Sequence, residues 1–148
     1  MLDSLAMPAA TAAVVDALNS LLEAEMNSIF RFMEAGSPYL DRATAELRKP
    51  LSEMVAQSHR HAETLARTID ALGAVPLPRQ LLPEEQYLSY LSFKFLLPKL
   101  IEAKKLMIRR YQNALAAIKD APPEVLHLLR SQMAEHQADL ETLEKAHA

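Results

Sequence analysis

The chain has 148 residues, half of them hydrophobic and 24% charged, a balance that suits a single globular domain with a sizeable core and excludes a disordered chain. Its formal net charge of -3 comes with no basic stripe, which argues against nucleic-acid binding, and zero cysteines remove disulfides, zinc–thiolate sites and iron–sulfur clusters. Only two glycines interrupt a composition rich in Ala, Leu, Glu, Lys and Met, so helix is favoured almost throughout.

In chain order, residues Met1 to Ala13 carry Asp3 and no basic segment, so they do not read as a secretory signal. A first helix is expected from about Pro8 to Ala35, where Gly36 suits a left-handed cap and Ser37-Pro38 prevents continuation. A second opens near Asp41, an N-cap candidate, and ends at Gly73; Pro50 inside it predicts either a kink or a short lead-in helix. Pro76, Pro78 and Pro83 then make a stiff, extended connection that reads as a crossover, because about a dozen residues at roughly 3.3 Å each run most of the length of a bundle. The third helix is expected from about Glu84 to Lys119, with Pro98 as a point of bending. The most apolar stretch, Tyr87 to Ile101, is broken by Lys94, Pro98 and Lys99 and is too short and charged to span a bilayer, so no membrane partner and a cytoplasmic location are expected. Asp120-Ala121-Pro122-Pro123 leads into the fourth helix, which ends near Ala146. The expectation is an all-α, four-helix bundle formed by residues 1–148 as one domain.

Each helix has an apolar stripe at spacings of three and four, and each stripe is interrupted near its middle. In the first, Val14, Leu18, Leu22, Ile29 and Phe32 are interrupted by Glu25. In the second, Leu51, Met54, Leu65 and Leu72 are interrupted by Ser58 and His61. Lys104 breaks the series Leu97, Ile101, Ile108, Tyr111, Leu115 and Ile118, and His136 breaks Leu126, Leu129, Met133, Leu140 and Leu143. A lone histidine on an apolar face is more often a satisfied core residue than a ligand. Interruptions at one level on all four helices instead predict a central polar cluster.

An internal repeat aligns these positions. LLEAEMNSIFRFMEA from Leu21 to Ala35 matches LIEAKKLMIRRYQNA from Leu100 to Ala114, placing Glu25 on Lys104 and Phe32 on Tyr111. QSHRHAETLARTIDA from Gln57 to Ala71 matches QMAEHQADLETLEKA from Gln132 to Ala146, placing Gln57 on Gln132, Ser58 on Met133 and His61 on His136. The chain therefore reads as a duplicated helix pair, with Glu102 falling on Glu23, away from the interior.

The run Leu18-Asn19-Ser20-Leu21-Leu22 followed by Glu25, and His61-Ala62 ahead of Ala71-Leu72-Gly73-Ala74-Val75-Pro76, resembles bacterioferritins, rubrerythrins and other ferritin-like bundles, in which one connection is long and the others short. The resemblance implies two metal ions held by one Glu on each of helices 1 and 3 and by Glu-x-x-His on each of helices 2 and 4. It carries over to Glu25, His61 and His136, whereas Ser58, Met133 and Lys104 stand where the family has carboxylates. An ammonium at Lys104 opposes a further divalent charge in a low-dielectric interior, so an ordinary di-iron centre, ferroxidase chemistry and iron storage are not expected.

Three functional readings follow from the residues. In the first, Glu25 and Lys104 form a buried ion pair joined by His61 and His136, no metal binds, and the protein acts through binding or assembly. In the second, Glu25, His61 and His136 hold one Fe, Mn or Zn ion for an oxidoreductase, with Gln57 and Gln132 orienting the histidines. Lys104 and Tyr111 are then the catalytic candidates, as proton carrier and redox neighbour, against the plainer reading of Tyr111 as a packed core residue. In the third, surplus apolar residues (Met26, Phe30, Met33 and the segment Tyr87 to Phe95) serve a helical partner, with a homodimer or larger homo-oligomer expected. Glu53, His59, Arg60, Glu63 and Glu135 read as a solvated face.

Overall fold

Alanine-rich sequence carries the chain into helix at its first described residue, and every regular element among the described residues is helical. The structure, a computed structural model, describes residues 9–33, 45–78 and 93–147. Its α-helices are α1 (Ala9–Met26), α2 (Ile29–Phe32), α3 (Arg48–Ala71), α4 (Phe93–Ala117) and α5 (Pro123–His147), with a 3-10 turn at Ala45–Leu47. The expected caps at Gly36, Ser37, Pro38 and Asp41 lie outside the described residues, as does most of the expected crossover beyond Pro78. No helix among the described residues is long and apolar enough to cross a membrane.

The first expected helix is two helices. Asn27 and Ser28 separate α1 from α2 because their side chains compete for backbone groups. Asn27 Nδ2 donates to the Glu23 carbonyl at 2.8 Å, and Ser28 Oγ accepts from Phe30 N–H at 3.3 Å as the N-cap of α2. The break rotates the inward face after it: Phe30 and Met33, expected at the surface, are 1% and 3% exposed, while Ile29 is only partly buried.

Pro50 falls in the first turn of α3, where its missing N–H costs no helical bond, and the 3-10 turn supplies the lead-in. The helix ends in a Schellman motif: Ala74 N–H bonds the Ile69 carbonyl, Gly73 N–H bonds that of Asp70, and Gly73 takes φ 83°. Pro98 lies inside α4, which runs on through it, and Pro123 opens α5 as its first residue.

α1 packs along α3 and α4 along α5, and the two pairs meet mainly across α1 and α4. Leu77 N–H bonds the Asn19 side chain at 2.8 Å, tying the segment after α3 back to α1. The apolar core lies in two clusters. One gathers Leu18, Leu22, Leu65, Ile69, Ile118 and Leu129; the other gathers Phe30, Met54, Leu96, Leu100 and Leu143. Each such aliphatic side chain contributes about 1.5–3 kcal/mol on full burial. Between the two clusters lies a polar layer.

Candidate functional site

Glu25 stands at the end of α1, just before the break. Gln57, Ser58 and His61 come from α3, Lys104 and Tyr111 from α4, and Gln132 and His136 from α5. Glu25 is fully buried, and His61, Lys104 and His136 are at most 2% exposed, so each charge needs a partner inside the protein.

The layer centres on one oxygen. Glu25 Oε2 accepts from the Tyr111 hydroxyl at 2.5 Å, and lies 2.8 Å from His136 Nε2 and 3.1 Å from His61 Nδ1. Burial alone would push the Glu25 carboxyl up, but hydrogen bonds and charge from His136 and His61 overcome it and hold the group down at about 2. Glu25 is therefore ionised at neutral pH. Tyr111 moves the other way: burial, then the charge of Glu25 and its hydrogen bond, raise the phenol well above its ordinary value, so it stays a neutral donor. Gln132 Nε2 donates to the Tyr111 hydroxyl at 2.7 Å, which completes the orientation of that ring.

The two histidine rings meet edge to face with centroids 4.8 Å apart, and His61 Nδ1 lies 3.2 Å from His136 Nε2. The outer nitrogens have opposite surroundings: His61 Nε2 is 2.8 Å from Glu135 Oε2, and His136 Nδ1 is 3.0 Å from Lys104 Nζ. Burial, reinforced by the charges of Lys104 and His61, pushes His136 below the usual imidazole range despite the pull of Glu25. Lys104 is held by Asp139 Oδ2 at 2.9 Å and sits 4.4 Å over the Phe30 ring. Ligand atoms of Glu25, His61 and His136 all lie within 4.8 Å of one another, close enough to hold a metal ion. Around this layer the buried Glu25 Oε1, Gln57 Oε1 and Ser58 Oγ lack a hydrogen-bond partner, and Asp139 Oδ2 meets Lys104 as an ion pair only.

Residues 15–147 match the ferritin-like domain family. The chain belongs to that family. It also superposes on the crystal structure of a ferritin-like, diiron-carboxylate protein from Bacillus anthracis str. Ames with a TM-score of 0.78 and 18% identity, over 96% of this chain and 100% of that one. At that identity the likeness speaks for the fold. No curated protein matches the chain.

The ferritin-like fold brings together Glu25, His61, Lys104, Tyr111 and His136, with Gln132 bonded to Tyr111 rather than to a histidine. Met133 is only partly buried and packs against the first apolar cluster. Lys104, expected to pair directly with Glu25, instead pairs with Asp139 and reaches Glu25 only through His136. Glu135, expected on the solvated face, bonds His61 and is held at 3.0 Å by Arg60. Burial works against the Glu135 charge, but the bonds from His61 and Arg60 win and lower its carboxyl. Sequence reasoning missed Asp139 altogether. Its signal was its place three residues after His136, one turn along the same helix face.

Proposed function

We propose that this ferritin-like protein has exchanged the family's dinuclear centre for a polar layer whose positive charges are its own side chains. On this reading it has neither ferroxidase nor iron-storage activity, and it acts by binding or assembly as a single-domain homodimer or larger homo-oligomer. The observation that carries the reading is Lys104: a cation 2% exposed, 2.9 Å from Asp139 and 3.0 Å from His136, at a position where the resemblance calls for a carboxylate.

The donor set does not fit two ions. A dinuclear centre of this family uses four carboxylates to balance its cations. Of those positions only Glu25 is a carboxylate here; Ser58 offers a hydroxyl, Met133 a thioether and Lys104 a positive charge. Glu25, Glu135 and Asp139 already answer to His61, Arg60 and Lys104. A divalent ion added to that balance raises positive charge in a dry interior, where repulsion is strong.

A second reading is favoured by the proximity of Glu25, His61 and His136: two histidines and a carboxylate are the ligand set of mononuclear non-haem iron and some zinc sites. These three residues would hold one Fe, Mn or Zn ion, which supplies Lewis-acid or redox chemistry when bound. Tyr111, bonded to Glu25, would orient that carboxylate.

Metal content after growth with added iron, manganese and zinc, together with an iron(II) oxidation assay, separates the readings. The expected result is less than one ion per chain and no catalysed oxidation. One ion per chain would transfer support to the second reading, and two ions with turnover would overturn both.

A further inference from the structure

The two histidines of the layer have outer partners of opposite chemistry. An ammonium has three N–H donors and no acceptor, whereas an ionised carboxylate only accepts. Lys104 Nζ therefore donates to His136 Nδ1 across their 3.0 Å, and that nitrogen must carry the lone pair. A neutral imidazole has one donor and one acceptor, so the ring proton sits on Nε2. There it faces Glu25 Oε2 at 2.8 Å, an ionised acceptor, and the two ends of the ring demand the same tautomer. The lysine is itself fixed: Asp139 at 2.9 Å and the Phe30 ring at 4.4 Å hold the ammonium in place.

His61 is wired the other way. Its outer Nε2 faces Glu135 Oε2 at 2.8 Å and so carries a proton, while the inner Nδ1 lies 3.1 Å from Glu25 Oε2 with no ammonium to fix it. A carboxylate accepting the outer N–H is the usual support of a metal-ligating histidine. An ammonium donating to the outer nitrogen is its inverse.

We infer that Lys104 is a tautomer lock: it keeps the proton of His136 on the inward Nε2 and so bars that histidine from serving as a metal ligand. This rests on the internally balanced layer proposed above and names the residue that keeps the layer closed to metal. The group Glu25, His61 and His136 is thereby one ligand short, and taking away the Lys104 amine releases His136. Lys104 acts through His136 and is a positioning residue.

Long-range proton–nitrogen correlation NMR on the unaltered chain reads which ring nitrogen of His136 bears hydrogen. The expected result is hydrogen on Nε2 and a bare Nδ1; hydrogen on Nδ1 overturns the inference, whatever the variants do. Cobalt(II) titration followed by calorimetry provides the second arm. Lys104→Met should bind cobalt about 10- to 100-fold more tightly than the unaltered chain, the range exerted by outer partners of ligating histidines. Adding His136→Ala to Lys104→Met should abolish that gain. Because Lys104→Met leaves Asp139 without its cation, Lys104→Met/Asp139→Asn is titrated alongside it. A folded double variant with no gain, or an unaltered chain whose tight cobalt binding falls on His136→Ala, would overturn the lock. Iron oxidation by the unaltered chain with hydrogen still on His136 Nε2 would sink the proposed function and leave the lock standing.

Discussion

Replacing Glu25 by Gln keeps the shape of the side chain and an acceptor oxygen for Tyr111 while deleting the charge on which both histidines converge. The folded protein holds this carboxyl at about 2 against an ordinary 4.5, and at about 1.36 kcal/mol per pH unit the difference amounts to about 3 kcal/mol. The group is fully buried, so solvent does not screen the effect away. Because the folded value is depressed, this stability is fully present above the unfolded value of 4.5 and is lost as pH falls toward about 2. Glu25→Gln should therefore be about 3 kcal/mol less stable than the unaltered chain at pH 7, and by pH 3 about 2 kcal/mol of that gap should have closed. Urea unfolding of both proteins in chelator at a series of pH values reads the gap directly, since carboxylates common to both cancel in the difference. A gap that stays constant from pH 7 to pH 3 would refute the claim that Glu25 is the anionic centre of the layer.

Tyr111→Phe removes the 2.5 Å bond to Glu25 and leaves Gln132 Nε2 without its acceptor, so a loss of about 1.5–3 kcal/mol is expected in denaturant unfolding. Glu135→Gln should cost under about 1 kcal/mol at pH 7, because its carboxylate is 37% exposed and its pairs are screened; a thermal melt resolves this from the larger Glu25 effect. Its contribution, too, fades as pH falls below 4.5, since its folded value is lowered. Gly73→Ala should cost about 1 kcal/mol or more through the backbone alone: φ is 83°, and a Cβ there meets nothing within 4 Å. Gly73→Asn, which tolerates that conformation better, should recover part of the loss.

Much of the architecture was legible along the chain. Gly73, Pro122 and Pro123 act within one or two residues of themselves, so their positions located helix ends without knowledge of the neighbours. The 3.6-residue period put Glu25, His61, Lys104 and His136 on inward faces, because that depends only on angle about a helix axis, and their places near the middle of the expected helices, matched by the internal repeat, pointed to one level. The break at Asn27-Ser28 was less visible. Local side-chain bonds there compete with a helical pattern that is otherwise continuous, and composition does not say which wins.

The partners of the buried charges needed the packed bundle. Periodicity assigns Lys104 an inward direction but not the reach of its long flexible stem, which carries the ammonium to Asp139 on α5 rather than to Glu25. Glu135 sits at a helical angle that suits solvent, and only the approach of α3 brings His61 within 2.8 Å of it. Which atom of a ring faces a carboxylate and which faces an ammonium is likewise a matter of how three helices meet. Hydrogen bonds are decided over tenths of an ångström, a scale on which side-chain identity is silent and only tertiary contact speaks.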